Sequence, residues 1–196
     1  MFYALRNLFA LVGFAVVAGA IYLAVSYSST LQTLSSFDEK ATSVYGEMIE
    51  KILQTGNAAE ATVWKIPVSE DLSVEDVEET MRFVANEHNI KNVGELPLSA
   101  QIEAMSGEKT RFLKIYMFCN ALTAAQMLAH SDAYSAYLPC RISLVEDKQG
   151  KLWLYSLNMD AMIYGGTTLP PALKEEAEGV KTIILDIMNR GAEGDF

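Results

Sequence analysis

The chain has 196 residues, 51% of them hydrophobic, and a formal net charge of −10 at pH 7. That much negative charge repels phosphate backbones and anionic headgroups, which excludes nucleic acid as an expected partner. About 170 residues lie beyond an apolar amino-terminal run, one domain's worth and enough for a real core.

Asn7 to Tyr27, NLFALVGFAVVAGAIYLAVSY, contains no charged residue. A helix needs roughly 20 apolar residues to cross the hydrocarbon core, where it satisfies its own backbone hydrogen bonds. A cleaved signal peptide would have an apolar core of about 7–15 residues before a small-x-small site. Ala24-Val25-Ser26 resembles such a site, but the run is longer and the helical pattern continues beyond it. The expectation is an uncleaved transmembrane helix over residues 7–27 that contacts membrane lipid. Ala15 and Gly19 stand at the small-xxx-small spacing that lets another helix approach. Arg6 and the terminal amine lie on the near side, and Ser28 to Phe37 carries no Lys or Arg. The positive-inside tendency then places residues 1–6 in the cytoplasm as a short tip. The main domain lies in the periplasm, on a single pass through a bacterial inner membrane. Everything beyond Arg6 carries −11.

Residues 28–56 predict an amphipathic helical stalk. Leu31, Leu34, Phe37, Ala41, Val44, Met48 and Ile52 recur at spacings of three and four, on one helix face. That stripe suits a short coiled coil with another subunit or packing on its own domain. Gly56-Asn57 breaks the helix.

The globular part spans 61–192. Ala61 to Val68 alternates and is β-branched, hence a strand. Ser73 caps a helix to about Glu87, with Val77, Met81 and Val84 inward. Ile90 to Met105, interrupted at Gly94 and Pro97, reads as a bent strand, and Phe112 to Phe118 as a strand. Asn120 caps a helix to about His130, with Leu122, Ala125 and Leu128 or Ala129 inward. Tyr134 to Leu138 adds a helical turn stopped by Pro139. Arg141–Val145 and Leu152–Leu157 form a hairpin, with Trp153 expected buried or at the sheet–helix boundary. Pro170-Pro171 opens a last helix to about Arg190, which Gly191 ends, and residues 193–196 form a tail. This order gives an α+β domain, a mostly antiparallel sheet with helices on one face.

NVGELPLS at Asn92–Ser99, KIYMFCN at Lys114–Asn120 and LPCRISLVEDKQGKLWLYSLNMDAMI at Leu138–Ile163 resemble the bacterial family called "domain of unknown function 302". The resemblance covers about residues 61–192. It implies a TATA-binding-protein-like topology and frequent association as a homodimer. It implies no established reaction and carries over no catalytic residue. Anchor and stalk lie outside it, so the chain is expected to be a membrane-tethered form.

Cys119 and Cys140 are the first site candidates, since they flank one helical excursion at a strand exit and a strand entrance. Three readings stay open: a structural disulfide, two inert buried thiols, or a redox or sulfur-carrying pair. Closing a loop of about 20 residues would stabilise by roughly 3 kcal/mol on the chain-entropy model. No C-x-x-C or C-x-x-C-H motif is present, so no thioredoxin chemistry, haem or other cofactor is expected. His88 and His130 read as helix-end residues, His130 and Arg141 also as ligand contacts beside the cysteines. No spacing demands a metal. Glu146 and Asp147 read as a solvated turn, and Gly165-Gly166 as a flexible turn or pocket lip. Ser143, Thr110 and Ser156 belong to no nucleophile motif.

Two function classes follow. One is a non-enzymatic accessory or binding module on a membrane complex. The other handles a thiol, sulfur or redox ligand at Cys119 and Cys140.

Overall fold

The structure is a computed structural model that describes residues 2–196. Met1 of the expected cytoplasmic tip lies outside the described residues, as do the side-chain surroundings of Phe2, Ala4, Leu5, Leu8 and Leu31. In chain order the elements are α1 (Phe2–Ser26), α2 (Ser28–Ser35), α3 (Ala41–Thr55), α4 (Ala58–Ala61), β1 (Val63–Pro67) and α5 (Val74–Glu87). Then come β2 (Lys91–Leu96), α6 (Leu98–Ser106), β3 (Leu113–Cys119), α7 (Ala121–His130) and a 3-10 helix (Asp132–Tyr137). Last are β4 (Cys140–Glu146), β5 (Leu152–Leu157), α8 (Asp160–Tyr164) and α9 (Pro171–Glu193).

The strands form one antiparallel sheet in the order β1-β5-β4-β3-β2. Strand alternation gives it two unlike faces. Tyr116, Phe118, Ile142, Leu144 and Leu154 point to the side covered by α5 and α9 and are buried there. Ile115, Met117, Val145, Trp153 and Tyr155 point the other way and stay half-buried. The domain is therefore α+β with helices on one face of its sheet.

Local chemistry explains the covering helices. Ser73 and Asp76 make a reciprocal capping box at the start of α5. The α5 stripe Val77, Met81 and Val84 is fully buried. Gly191 does not end α9 but lies buried within it, where a Cβ would stand 2.6 Å from Met81 Cγ. The helix runs on to Glu193, and Gly194, with φ +71°, caps it. Where α5 meets β2 and β3, Glu78 accepts from Lys114 (2.8 Å), Tyr116 (2.5 Å) and Arg82 (2.9 Å). Glu95 pairs with the same Arg82 and Lys114.

Several expectations need correction. The segment read as one bent strand is β2, with a bulge between Asn92 and Gly94, followed by α6. Pro97 precedes that helix instead of bending a strand. In α7 the inward residues are Thr123 and Met127, while Leu122 is 78% exposed and Ala125 and Ala129 face solvent. The polar Thr123, Gln126 and His130 share one face with Met127, so the apolar pattern points to the wrong side; Thr123 turns inward because its hydroxyl reaches Glu176. Trp153 lies on the uncovered face, not at the sheet–helix boundary. Its Nε1 donates to Asp147 Oδ2 at 2.8 Å, and Lys65 stacks over its ring at 4.3 Å. Asp147 is thus an organiser of the hairpin, which also accepts from the backbone N–H groups of Gln149 and Lys151.

The stalk stripe is interrupted. Phe37 bridges Thr167, and the Asp38 N–H donates to the Gly166 carbonyl at 2.8 Å. The buried Asp38 carboxylate pairs with Lys174 of α9 at 2.5 Å. From there α3 packs on its own domain, with Val44 buried against a cluster of Met159, Ile163, Tyr164, Leu169 and Leu173. Gly165 serves this docking, not a flexible lip. Tyr45 donates to its carbonyl, and a Cβ would stand 2.9 Å from the Tyr45 hydroxyl. The amino-terminal α1 has no buried residue over Phe9–Ser26 and is long and apolar enough to cross a membrane.

Candidate functional site

The site forms where β3 ends and β4 begins. Strand register pairs Phe118 with Cys140, so Cys119 stands one residue beyond Cys140's cross-strand partner. Between the strands the chain leaves as α7 and returns through the 3-10 helix. Asn120 starts that excursion, its side chain accepting from the backbone N–H groups of Leu122 (3.1 Å) and Thr123 (3.3 Å). The Leu138–Pro139 peptide is cis at its end. The excursion forms one wall of a cleft, and β5, α8 and α9 supply the rest.

The cleft encloses about 720 Å³ of atom-free space, its open mouth included. Its walls are mainly carbon and sulfur. Cys119, Cys140, Met127, Met159 and Met162 all line it, beside Tyr134 and Tyr137. Both cysteines are free thiols in this structure. Burial pushes the Cys140 thiol up to about 11, with Cys119 alongside adding to the shift. Cys140 is therefore neutral at pH 7 and acts as a polarisable, weakly polar wall.

Most polar groups at the cleft are already engaged. The Thr123 hydroxyl donates to Glu176 at 2.8 Å, and Tyr134 donates to the Met162 carbonyl at 3.4 Å. Ser156 is 6% exposed and hydrogen-bonds to no other described residue. Arg141 borders the cleft, but opposite Met117 in the register it lies on the sheet face away from Cys140 and Ser156; it is exposed and forms no ion pair among the described residues.

The structure thus brings three of the sequence candidates together: Cys119, Cys140 and Arg141. His130 is not among the lining residues. It lies exposed at the end of α7, its ring 6.1 Å from that of Tyr134. His88 pairs with Asp186 of α9 at 2.7 Å, far from this chemistry in role. Among the described residues, no group of three or more His, Cys, Asp or Glu side chains is arranged to hold a metal. Sequence reasoning set Ser156 aside as part of no nucleophile motif, and it missed Met159, Met162 and the short α8. Ser156 did carry a signal, because it occupies the same inward strand face as Leu154.

A five-stranded antiparallel sheet covered on one face by helices, with a cleft at one sheet end, defines the class of domain. The model of "Domain of unknown function DUF302" matches residues 64–191, and the chain belongs to that family. Three solved chains match in structure. One is the crystal structure of an uncharacterised conserved DUF302 protein from Bacillus stearothermophilus, with a TM-score of 0.54 and 17% sequence identity. That match covers 66% of this chain and 97% of the other and shows a shared fold. No curated protein matches the chain. Helices α1 to α4 lie outside the residues matched by the family.

Proposed function

We propose that the protein is a membrane-anchored, periplasm-facing binding module, an accessory subunit of a membrane complex. The observation that carries this reading is the cleft, a concave apolar site with a few unengaged polar groups, as small-molecule sites commonly are. Its residues supply no nucleophile–base pair. Cys140 is a neutral thiol, and Ser156 has no hydrogen-bonded base. The uncharged stretch of α1 from Asn7 to Ser26 supports the single-pass anchor, and Arg6 near its start supports a cytoplasmic amino end.

Thiol protection tests this reading. Full-length protein in lipid nanodiscs is treated with N-ethylmaleimide while a panel of small apolar molecules is titrated, and modification of Cys119 and Cys140 is read by mass spectrometry. The expected result is saturable protection by a subset of the panel, abolished by the cleft-filling change Ala124→Phe. Protection by none, or protection unaffected by the filled cleft, contradicts it. Orientation has its own check. Protease added outside spheroplasts should digest the domain, whereas a mature amino terminus at Tyr27 would show cleavage and remove the anchor.

The presence of both cysteines in the lining favours a second reading, transfer of sulfur or redox equivalents at that pair. It predicts a mass gain on Cys119 or Cys140 after exposure to polysulfide. The raised Cys140 pKa weighs against it, since the thiolate is the reactive form.

A further inference from the structure

Ser156 lies on the helix-covered face of the sheet. It pairs in register with Ile142 of β4 and Trp64 of β1, and Leu154, two residues earlier, shares its face. Cys140, two residues before Ile142, lies on that face as well. Every fully enclosed side-chain polar atom among the described residues is hydrogen-bonded. The Ser156 hydroxyl, on a residue only 6% exposed, has no such bond, so its oxygen opens on the cleft that the residue lines. Burying a hydroxyl without a partner is destabilising, and folding alone gives no reason to keep it.

The serine is also small where its neighbours are large. Phe118, Ile142, Leu144 and Leu154 fill the rest of that face and have no exposed surface. Ser156, with Ala124 of α7 and Ala177 of α9, leaves room at the cleft instead.

The surroundings select against charge. Arg141 is the one charged side chain among the lining residues, and its place opposite Met117 puts it on the other sheet face. Glu176, which reaches the wall from α9, already accepts from Thr123. An ion beside Ser156 would leave water without a counter-charge in the lining, at a large desolvation cost. The other walls are thioether, thiol and phenol side chains, Met127, Met159, Met162, Cys140 and Tyr134. Methionine adapts to irregular shapes, and its sulfur packs favourably at the edges of aromatic rings.

We propose that the cleft takes a small neutral molecule, an aromatic ring bearing one hydrogen-bonding group such as an alcohol. The ring lies among the three methionines, and the hydrogen-bonding group meets Ser156 Oγ. This inference rests on the reading of the cleft as a binding site and names the class of its ligand.

The test uses full-length protein in lipid nanodiscs, with empty nanodiscs as the blank, and isothermal titration with four probes of similar size. These are benzyl alcohol, ethylbenzene, benzylammonium and benzoate. Benzyl alcohol should bind one to one. Ethylbenzene, with a methyl in place of the hydroxyl, should bind about fivefold weaker for want of one hydrogen bond. Both ions should bind about a hundredfold weaker or worse. Arg141→Gln should change none of these affinities. Ser156→Ala should erase the gap between alcohol and ethylbenzene, while thermal stability stays or rises because no intramolecular bond is lost. A gap that survives Ser156→Ala, or a fall in stability that marks the serine as structural, overturns its assigned role. Either ion binding as well as the alcohol overturns the neutral ligand. Binding of none of the four overturns the proposal. The binding-module reading then stands if the wider panel still protects the thiols, and falls if it does not.

Discussion

The protein holds two apolar clusters that meet at Trp64, Cys140 and Val180 and follow different rules. The first lies between the sheet and the α5–α9 pair. Met81, Val84, Ile142, Leu144, Leu154, Ile184 and Ile187 have no exposed surface there, and the charges at its edge are all paired. The second gathers α3, α7, α8 and the start of α9 around Met127, Met159, Ile163 and Tyr164. It opens into the cleft and keeps an unpaired hydroxyl and two thiols. A cluster whose every valence is met can only stabilise. A cluster with space and unmet polar groups has something left to bind.

The contrast can be broken first at the sealed cluster. Leu144→Ala should cost about 3–4 kcal/mol in denaturant unfolding, since nothing can collapse into the void. Met127→Ala, beside space that is already open, should cost about 1–2 kcal/mol. Equal costs at the two sites would show that the second cluster is packed as tightly as the first.

The next effect concerns the latch that docks α3. Lys174→Met leaves the buried Asp38 carboxylate without its cation and should weaken docking by about 3 kcal/mol, read as faster hydrogen exchange in α3. The hydrogen bond from Lys174 holds the Asp38 carboxyl below its usual range. Its contribution is then complete above the unfolded carboxylate value of about 3.9 and is lost as pH falls through the lower folded value. Protection factors in α3, which remove the intrinsic pH dependence of exchange, should be steady from pH 7 to 5 and fall only in stronger acid. A fall in protection already near pH 6 would mean another group holds the latch.

Trp153 gives a smaller effect. It is half-buried on the uncovered face and anchored by Asp147, so Trp153→Ala should cost about 1–2 kcal/mol, less than a core tryptophan. A loss above 3 kcal/mol would show that this face is covered in solution.

Much of the fold was legible because local signals agreed with it. Ser73 announced α5, Asn120 announced α7, and alternation marked each inward strand residue of β3 and β4. The misreadings have physical causes. Pro97 breaks one element and opens the next, and sequence alone does not distinguish the two uses. The α8 helix is five residues long, too short for a helical period to show. The stalk stripe was real, but the ion pair of Asp38 with a residue 136 positions away pulls the chain out of helix at Phe37–Lys40. Of the site, Cys140 and Arg141 were visible as neighbours along the chain, and Cys119 as the strand exit on the far side of the helical excursion. Met159 and Met162 were not, because four helical segments and three strands must first fold around one end of the sheet.

The central claim is that the second cluster binds and the first does not. Methyl-labelled methionine resonances report on both clusters at once, in the full chain in nanodiscs. On titration with a small apolar molecule that protects the cleft thiols, Met127, Met159 and Met162 should shift saturably while Met81 and Met188 stay fixed. Shifts spread evenly over both groups, or none in the first three, would contradict it.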